Sequence, residues 1–272
     1  MIACGYATQM NAHRSLLPLL AFVAFAVAVT ASAAAPLDLT WTIDGVQRRA
    51  LVFPPAPTFA AAKAPVVFGF HGHGGTMQTA RAMRFQELWP EAVVVYPQGL
   101  PTPSHVDPEG KHNGWQSEPG QVGDRDLKFF DAMLATLHQR FSVDDRRVYV
   151  TGFSNGAIFS LLLWAQRGRE LAAIGVCAGV LRGGVTLTVP RPVIDIGGSR
   201  DTVAVFALQQ ETWQKERDVN GCSSTAQACG PACKLYASAK HAPVETIVHP
   251  GGHVYPPWAS ERIAAFFRAH PL

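Results

Sequence analysis

The 272-residue chain is 48% hydrophobic and 16% charged, a globular composition that excludes a disordered or low-complexity protein. Its formal net charge of +3 is spread without any Lys/Arg cluster, which argues against nucleic acid as a partner. In chain order the first feature is a leader. Met10 and Arg14 precede an apolar run over 16–29, followed by Ala31-Ser32-Ala33. A positive start, a short apolar segment and small residues before a cut site predict a secretory signal peptide. The run is too short to span a bilayer, which takes about 20 apolar residues. The expected organisation is a signal peptide at 1–33, cleaved after Ala33 or Ala35, and a single domain at 34–272. Met10 is an alternative start. A secreted or periplasmic protein is expected, with no membrane contact once the leader is removed.

Short β-branched runs then alternate with helical patterns, as in a mostly parallel sheet with crossover helices. Strands are expected at 37–43, 48–53, 65–70, 92–96, 147–151, 172–177, 192–196 and 244–248. The first two read as an antiparallel pair turned at Asp44-Gly45. From Pro65 onward the runs are nearly continuous hydrophobics, as for strands buried on both faces. Helices are expected at 126–140, with Asp124 as N-cap, and at 155–166, 203–218 and 258–270. Two long loops, 97–123 and 220–242, are expected at the rim of the sheet, where such folds build pockets. The fold class is therefore α/β, an eight-stranded, mostly parallel sheet flanked by helices.

The strongest chemical signal is Gly152-Phe153-Ser154-Asn155-Gly156, which follows an expected strand and opens a helix. That context marks a nucleophile elbow: the tight turn lifts the serine hydroxyl off the sheet edge and aims the helix N-terminus at the reacting oxygen. An ordinary helix N-cap is the bland alternative. A serine hydroxyl needs a base and an orienting acid, and here chain order places the acid before the histidine. Asp195 lies within a strand, where an unpaired charge is costly. Asp201 lies just past the strand's end, and is the expected acid. Among the histidines, His253 in Pro250-Gly251-Gly252-His253 sits on a loop flexible enough to fold over the serine, and His249 is the fallback. His105, His112, His138, His241 and His270 read as solvated or structural.

Acyl chemistry also needs two N–H donors for the developing oxyanion. Asn155, after the serine, supplies one. His73 in the glycine-rich run His71-Gly72-His73-Gly74-Gly75 supplies the other, unless that run is a plain turn carrying a metal-capable His pair.

After Cys4 is lost with the leader, Cys177, Cys222, Cys229 and Cys233 remain. One local disulfide is expected, from Cys222 to Cys229 or Cys233, since export permits it and no histidine sits at zinc-ligand spacing.

Together these residues resemble the polyhydroxybutyrate depolymerase and feruloyl esterase-like α/β-hydrolases, of carbohydrate esterase family 1 type. The resemblance runs from about Arg48 to Phe267. It rests on His71-Gly72-His73-Gly74-Gly75, Tyr96-Pro97-Gln98-Gly99, Gly114-Trp115, the Asp126 helix, the Gly152–Gly156 elbow, Asn220-Gly221-Cys222 and Gly251-Gly252-His253. It implies the α/β-hydrolase fold and a triad of Ser154, Asp201 and His253. Its pocket aromatics are similar in placement to Trp115, which is then expected to stack a feruloyl ring or pack an acyl chain, the alternative being that it packs its own loop. The acyl-transfer mechanism itself requires no metal or organic cofactor. Arg125-Asp126 replaces a commonly paired Asp-Asp, and Gly197 stands where a histidine is frequent. No polymer-binding module is expected beside the domain. The expected substrate is a carboxylic ester, either small or carried on a polymer: feruloyl or acetyl esters on polysaccharide, or hydroxyalkanoate esters. A serine peptidase on the same fold would use the same triad. A non-catalytic binding protein would be expected to lack part of it.

Overall fold

The computed structural model describes residues 1–3, 5 and 35–272. The expected signal peptide lies outside the described residues. Among the described residues no helix is long and apolar enough to cross a membrane.

Twelve strands and six α-helices follow one another in these residues. They are β1 (Leu37–Ile43), β2 (Val46–Phe53), β3 (Ala64–Phe70), α1 (Met77–Arg81), α2 (Phe85–Leu88), β4 (Val93–Pro97), β5 (Leu100–Pro101), β6 (Asn113–Gly114), α3 (Arg125–Arg140) and β7 (Val143–Phe153). Then come α4 (Asn155–Arg167), β8 (Ala173–Cys177), β9 (Val193–Gly198), α5 (Phe206–Asn220), β10 (Gln227–Gly230), β11 (Cys233–Tyr236), β12 (Val244–His249) and α6 (Ala259–Ala269).

The main sheet runs β1-β2-β4-β3-β7-β8-β9-β12-β11-β10. Its parallel centre is made of runs such as Val66 to Phe68 and Val93 to Val95, wholly buried because helices cover both faces. The β1–β2 hairpin turns at Asp44 and Gly45, both at positive φ, with Ile43 opposite Val46. On one face the core gathers Phe68, Phe70, Phe130, Phe159 and Trp164 under α3 and α4. On the other, Tyr96, Tyr149, Ile263 and Phe267 pack under α2 and α6.

Each of the eight expected strands forms, and the ordering is that of one continuous α/β layer. The sheet nevertheless has ten strands, not eight. The 220–242 segment folds as an antiparallel hairpin, β10–β11, that extends the sheet beyond β12. It forms an edge of the sheet as a hairpin and not as an irregular loop, and its Gly230 and Pro231 wall a cavity of about 310 Å³. Its turn brings Cys229 and Cys233 to a Cα separation of 5.1 Å, and these two form the disulfide. Cys222 stands apart, on a bridge opposite Ser238, and is free, as is the buried Cys177. The pairing expected to include Cys222 is therefore corrected.

Two further differences are local. The short helices α1 and α2 escaped the periodicity because five- and four-residue helices give no readable stripe. Asp124 does not cap α3. Its backbone is left-handed (φ 58°) and its carboxylate instead accepts from Gln116 Nε2 and the Gly120 amide, both at 2.8 Å.

Candidate active site

The site is built at the C-terminal ends of β3, β7, β9 and β12, where a parallel sheet opens its crevice. The elbow after β7 comes first. Ser154 sits at φ 54°, ψ −119°, a strained conformation for a residue with a side chain. The turn is so tight that a Cβ at Gly152 would collide with the backbone of Gly156, and one at Gly156 with the carbonyl oxygens of Phe70 and His71. Glycine at both positions is thus a steric requirement. The Ser154 amide donates to the Cys177 carbonyl at 2.9 Å, which pins the turn to β8.

Two loops bring the other side chains over it. Asp201 follows β9 and His253 follows β12, and the loops are joined backbone to backbone. The Ser199 amide donates to the His249 carbonyl at 2.9 Å and the Arg200 amide to the Gly251 carbonyl at 3.0 Å. The Arg200 guanidinium donates to the Pro250 carbonyl at 2.6 Å. The result is a single line of contacts. Ser154 Oγ donates to His253 Nε2 at 2.8 Å, and His253 Nδ1 donates to Asp201 Oδ2 at 2.8 Å. Asp201 is buried and well held: Oδ1 accepts from the amides of Val203 and Ala204, while Oδ2 also accepts from Gln209 Nε2 at 3.2 Å. Phe153 lies against the His253 ring, with centroids 4.9 Å apart.

The rejected alternatives have other employment. His249 Nδ1 accepts from the Gly251 amide at 3.1 Å, which shapes the turn that delivers His253. Burial lowers the His249 pKa, in the direction that favours the unprotonated Nδ1 this acceptor role requires. Asp195 is fully buried within β9, facing Glu216 of α5, and burial raises both carboxyl pKa values.

His73, Ser154 and Asn155 line one small pocket of about 50 Å³, with Ile158, Val203 and Ala204 among its walls. The glycine-rich run is braced by His71. Its ring donates through Nδ1 to the Gly72 carbonyl at 2.8 Å and accepts at Nε2 from the Gly99 amide at 2.9 Å. Burial lowers its pKa to about 4, which keeps the ring neutral and both bonds in place at ordinary pH. His71 is therefore a brace for the loop and not half of a metal-binding pair. The Gly74 amide donates to the Asn113 carbonyl at 2.7 Å, tying this run to the 97–123 loop. A larger cavity of about 620 Å³ shares the same run but has Phe153 and Tyr255 in its wall instead of Ser154.

Trp115 is not where a substrate could touch it. It is 1% exposed, stacks on Phe159 at 5.4 Å and donates its indole N–H to the His71 carbonyl at 2.9 Å. The packing alternative holds, and the expectation of a stacking platform is corrected. Its backbone matters more than its ring. Asn155 accepts from the Trp115 amide at 2.7 Å and donates to its carbonyl at 3.0 Å, locking the long loop to the elbow.

Two contributors were missed by sequence reasoning. Arg48 of β2 forms a fully buried ion pair with Asp126 at 2.8 Å, and Asp126 also accepts from the Gln116 amide. Asp107 accepts from the His73 ring at 3.1 Å and from the His112 ring and amide. Arg48 is far from Asp126 in sequence, and His73 far from Asp107, and no local pattern announces such pairs.

No family model matches the chain. Over 175 residues it is 24% identical to the bifunctional acetylxylan esterase/xylanase XynS20E of Neocallimastix patriciarum, covering 63% of this chain and 24% of that protein. Over 175 residues it is 27% identical to feruloyl esterase D of Neurospora crassa, covering 62% of this chain and 54% of that one. The chain thus spans only part of the curated relatives it matches. Among solved structures it resembles the acetyl xylan esterase from Aspergillus awamori, with a TM-score of 0.67 at 16% identity, covering 86% of this chain and 99% of that one. The fold is the α/β-hydrolase fold, and the resemblance to feruloyl esterase-like α/β-hydrolases is met by relatives bearing those names.

Proposed function

We propose that this protein is a secreted serine ester hydrolase working through an acyl-enzyme, with Ser154 as nucleophile, His253 as base and Asp201 as the acid that orients it. The observation that carries this reading is the line Ser154–His253–Asp201, with both links at 2.8 Å. His253 takes the hydroxyl proton as Ser154 attacks the ester carbonyl, and returns it to the departing alcohol. Asp201 keeps the Nδ1–H tautomer and stabilises the charged ring. The developing oxyanion is bound by the backbone amides of His73 and Asn155, each donor lowering the barrier by about 3 kcal/mol. Water then attacks the acyl-enzyme by the same route.

The acyl group is a short one. The pocket at Ser154 is about 50 Å³ and walled by Ile158, Val203 and Ala204, which suits an acetyl group better than a feruloyl ring. An acetyl ester on a polysaccharide fits this pocket and also the name of one curated relative, the acetylxylan esterase/xylanase, the other being a feruloyl esterase. Export is carried by the leader read at 1–33.

A series of p-nitrophenyl esters from acetate to octanoate, with feruloyl and acetyl-xylan substrates beside it, tests both statements. We expect kcat/KM to peak at acetate and Ser154→Ala to abolish turnover with an unchanged circular dichroism spectrum. Retained activity in Ser154→Ala would overturn the nucleophile assignment, and a preference for feruloyl or octanoyl esters would overturn the acyl assignment.

A further inference from the structure

His73 of the glycine-rich run and Asp107 and His112 of the 97–123 loop bring together three side chains that ester hydrolysis does not use. His73 Nε2, Asp107 Oδ2 and His112 Nδ1 all lie within 4.8 Å of one another. Each ring nitrogen is 3.1 Å from the same carboxylate oxygen. Ligands around a tetrahedral zinc, with bonds of about 2.0–2.2 Å, stand roughly 3.3 Å apart, so little movement is needed to admit an ion. The cluster is also held in shape. The His112 amide donates to Asp107 Oδ2 at 2.9 Å, and Ser104 and Asp107 exchange backbone hydrogen bonds across a tight turn. The His73 and Asp107 side chains are 13% and 10% exposed, whereas His112 is 67% exposed and leaves a way in from solvent.

We propose that His73, Asp107 and His112 form a binding site for a divalent first-row transition metal, of which Zn²⁺ is the representative. Two imidazoles and one carboxylate suit such ions and not Ca²⁺ or Mg²⁺, which take oxygen ligands. Each imidazole binds as the neutral ring, in the tautomer whose Asp107-facing nitrogen is unprotonated and gives its lone pair to the metal while the proton sits on the other ring nitrogen. The remaining coordination positions are left to water. The site bridges two segments. His73 belongs to the glycine-rich run beside Ser154, and Ser104, His105 and Val106 of the other segment wall the same small pocket. A bound ion therefore fastens the outer wall of that pocket to the inner one. The argument rests on the geometry of these three side chains and is independent of the ester-hydrolase reading.

The test is a titration of the metal-free mature chain with Zn²⁺ in competition with a chromogenic chelator, and with Co²⁺ followed by its visible absorption. We expect one equivalent of Zn²⁺ to bind at micromolar concentration or tighter, and Co²⁺ to develop a ligand-field band. His112→Ala removes an exposed side chain and should fold normally, hydrolyse esters at the wild-type rate without metal, and bind Zn²⁺ at least tenfold more weakly. Asp107→Asn should weaken binding similarly. Zn²⁺ should raise the thermal midpoint of the wild type and leave that of His112→Ala unchanged. Absence of binding in the wild type, or equal binding by wild type and His112→Ala, would overturn the proposal.

Discussion

Gly198 at the end of β9 lies directly against Gly252 in the loop after β12: a Cβ at Gly198 would collide with the Gly252 carbonyl oxygen. This approach is what lets a loop carrying an acid and a loop carrying a histidine act as one unit, because it closes the gap that the Ser199 and Arg200 amides then bridge.

Gly198→Ala should therefore force the two loops apart while leaving the sheet intact. Overpacking of this kind costs about 1–3 kcal/mol, read as a lower urea midpoint. The kcat for p-nitrophenyl acetate should fall at least tenfold with little change in KM. A variant with wild-type kcat would show that the spacing of the loops is not critical.

Asp201→Asn should lower kcat by about 10⁴, since an amide cannot hold the productive tautomer of His253. Gln209→Leu removes only one of the donors to Asp201, and a loss nearer tenfold is expected. Parallel steady-state kinetics on both variants would rank them. Equal losses would mean that Asp201 reaches His253 productively only when Gln209 holds it.

The buried Asp195–Glu216 pair predicts a pH-dependent stability. Both pKa values are raised in the fold by burial, above those of the unfolded chain. The folded state therefore binds more protons, and stability is full below the unfolded carboxylate values near pH 4 and declines as pH rises through the folded ones. Asp195→Asn should flatten this decline and leave kcat unchanged. Urea unfolding from pH 5 to 9 measures the slope, and an unaltered slope would contradict the assignment.

Arg48→Met strands the Asp126 carboxylate in the core, and breaking a buried pair this way costs about 3–5 kcal/mol. The double variant Arg48→Met/Asp126→Asn should recover a large part of that loss, because no charge is then left unpaired. Chemical denaturation of the two proteins decides it.

Thiol alkylation of the unreduced, denatured protein should label Cys177 and Cys222 and spare Cys229 and Cys233. Peptide mapping by mass reads this directly. Label on Cys229 would mean that the pair is not closed.

Much of this protein was legible in one dimension. A strand buried on both faces must be apolar at every position, so runs such as Val66 to Phe70 announced themselves, and the Asp44-Gly45 turn did so through its need for positive φ. The elbow was readable because its glycines answer a local steric demand. Asp201 was distinguishable from Asp195 because one lies past the end of its strand and the other within it. In each case the cause acts over a few neighbouring residues.

What remained hidden is set by packing that no local rule names. That Trp115 turns inward onto Phe159, that Arg48 finds Asp126 and that Asp107 reaches His73 are decided by how separate segments are brought together. That Cys229 meets Cys233 and not Cys222 is decided by the turn of the β10–β11 hairpin. Composition and periodicity determined the layers and the ends of the strands. Packing across loops chose the partners, because a side chain's burial and its hydrogen bonds are properties of the space around it and not of its neighbours in sequence.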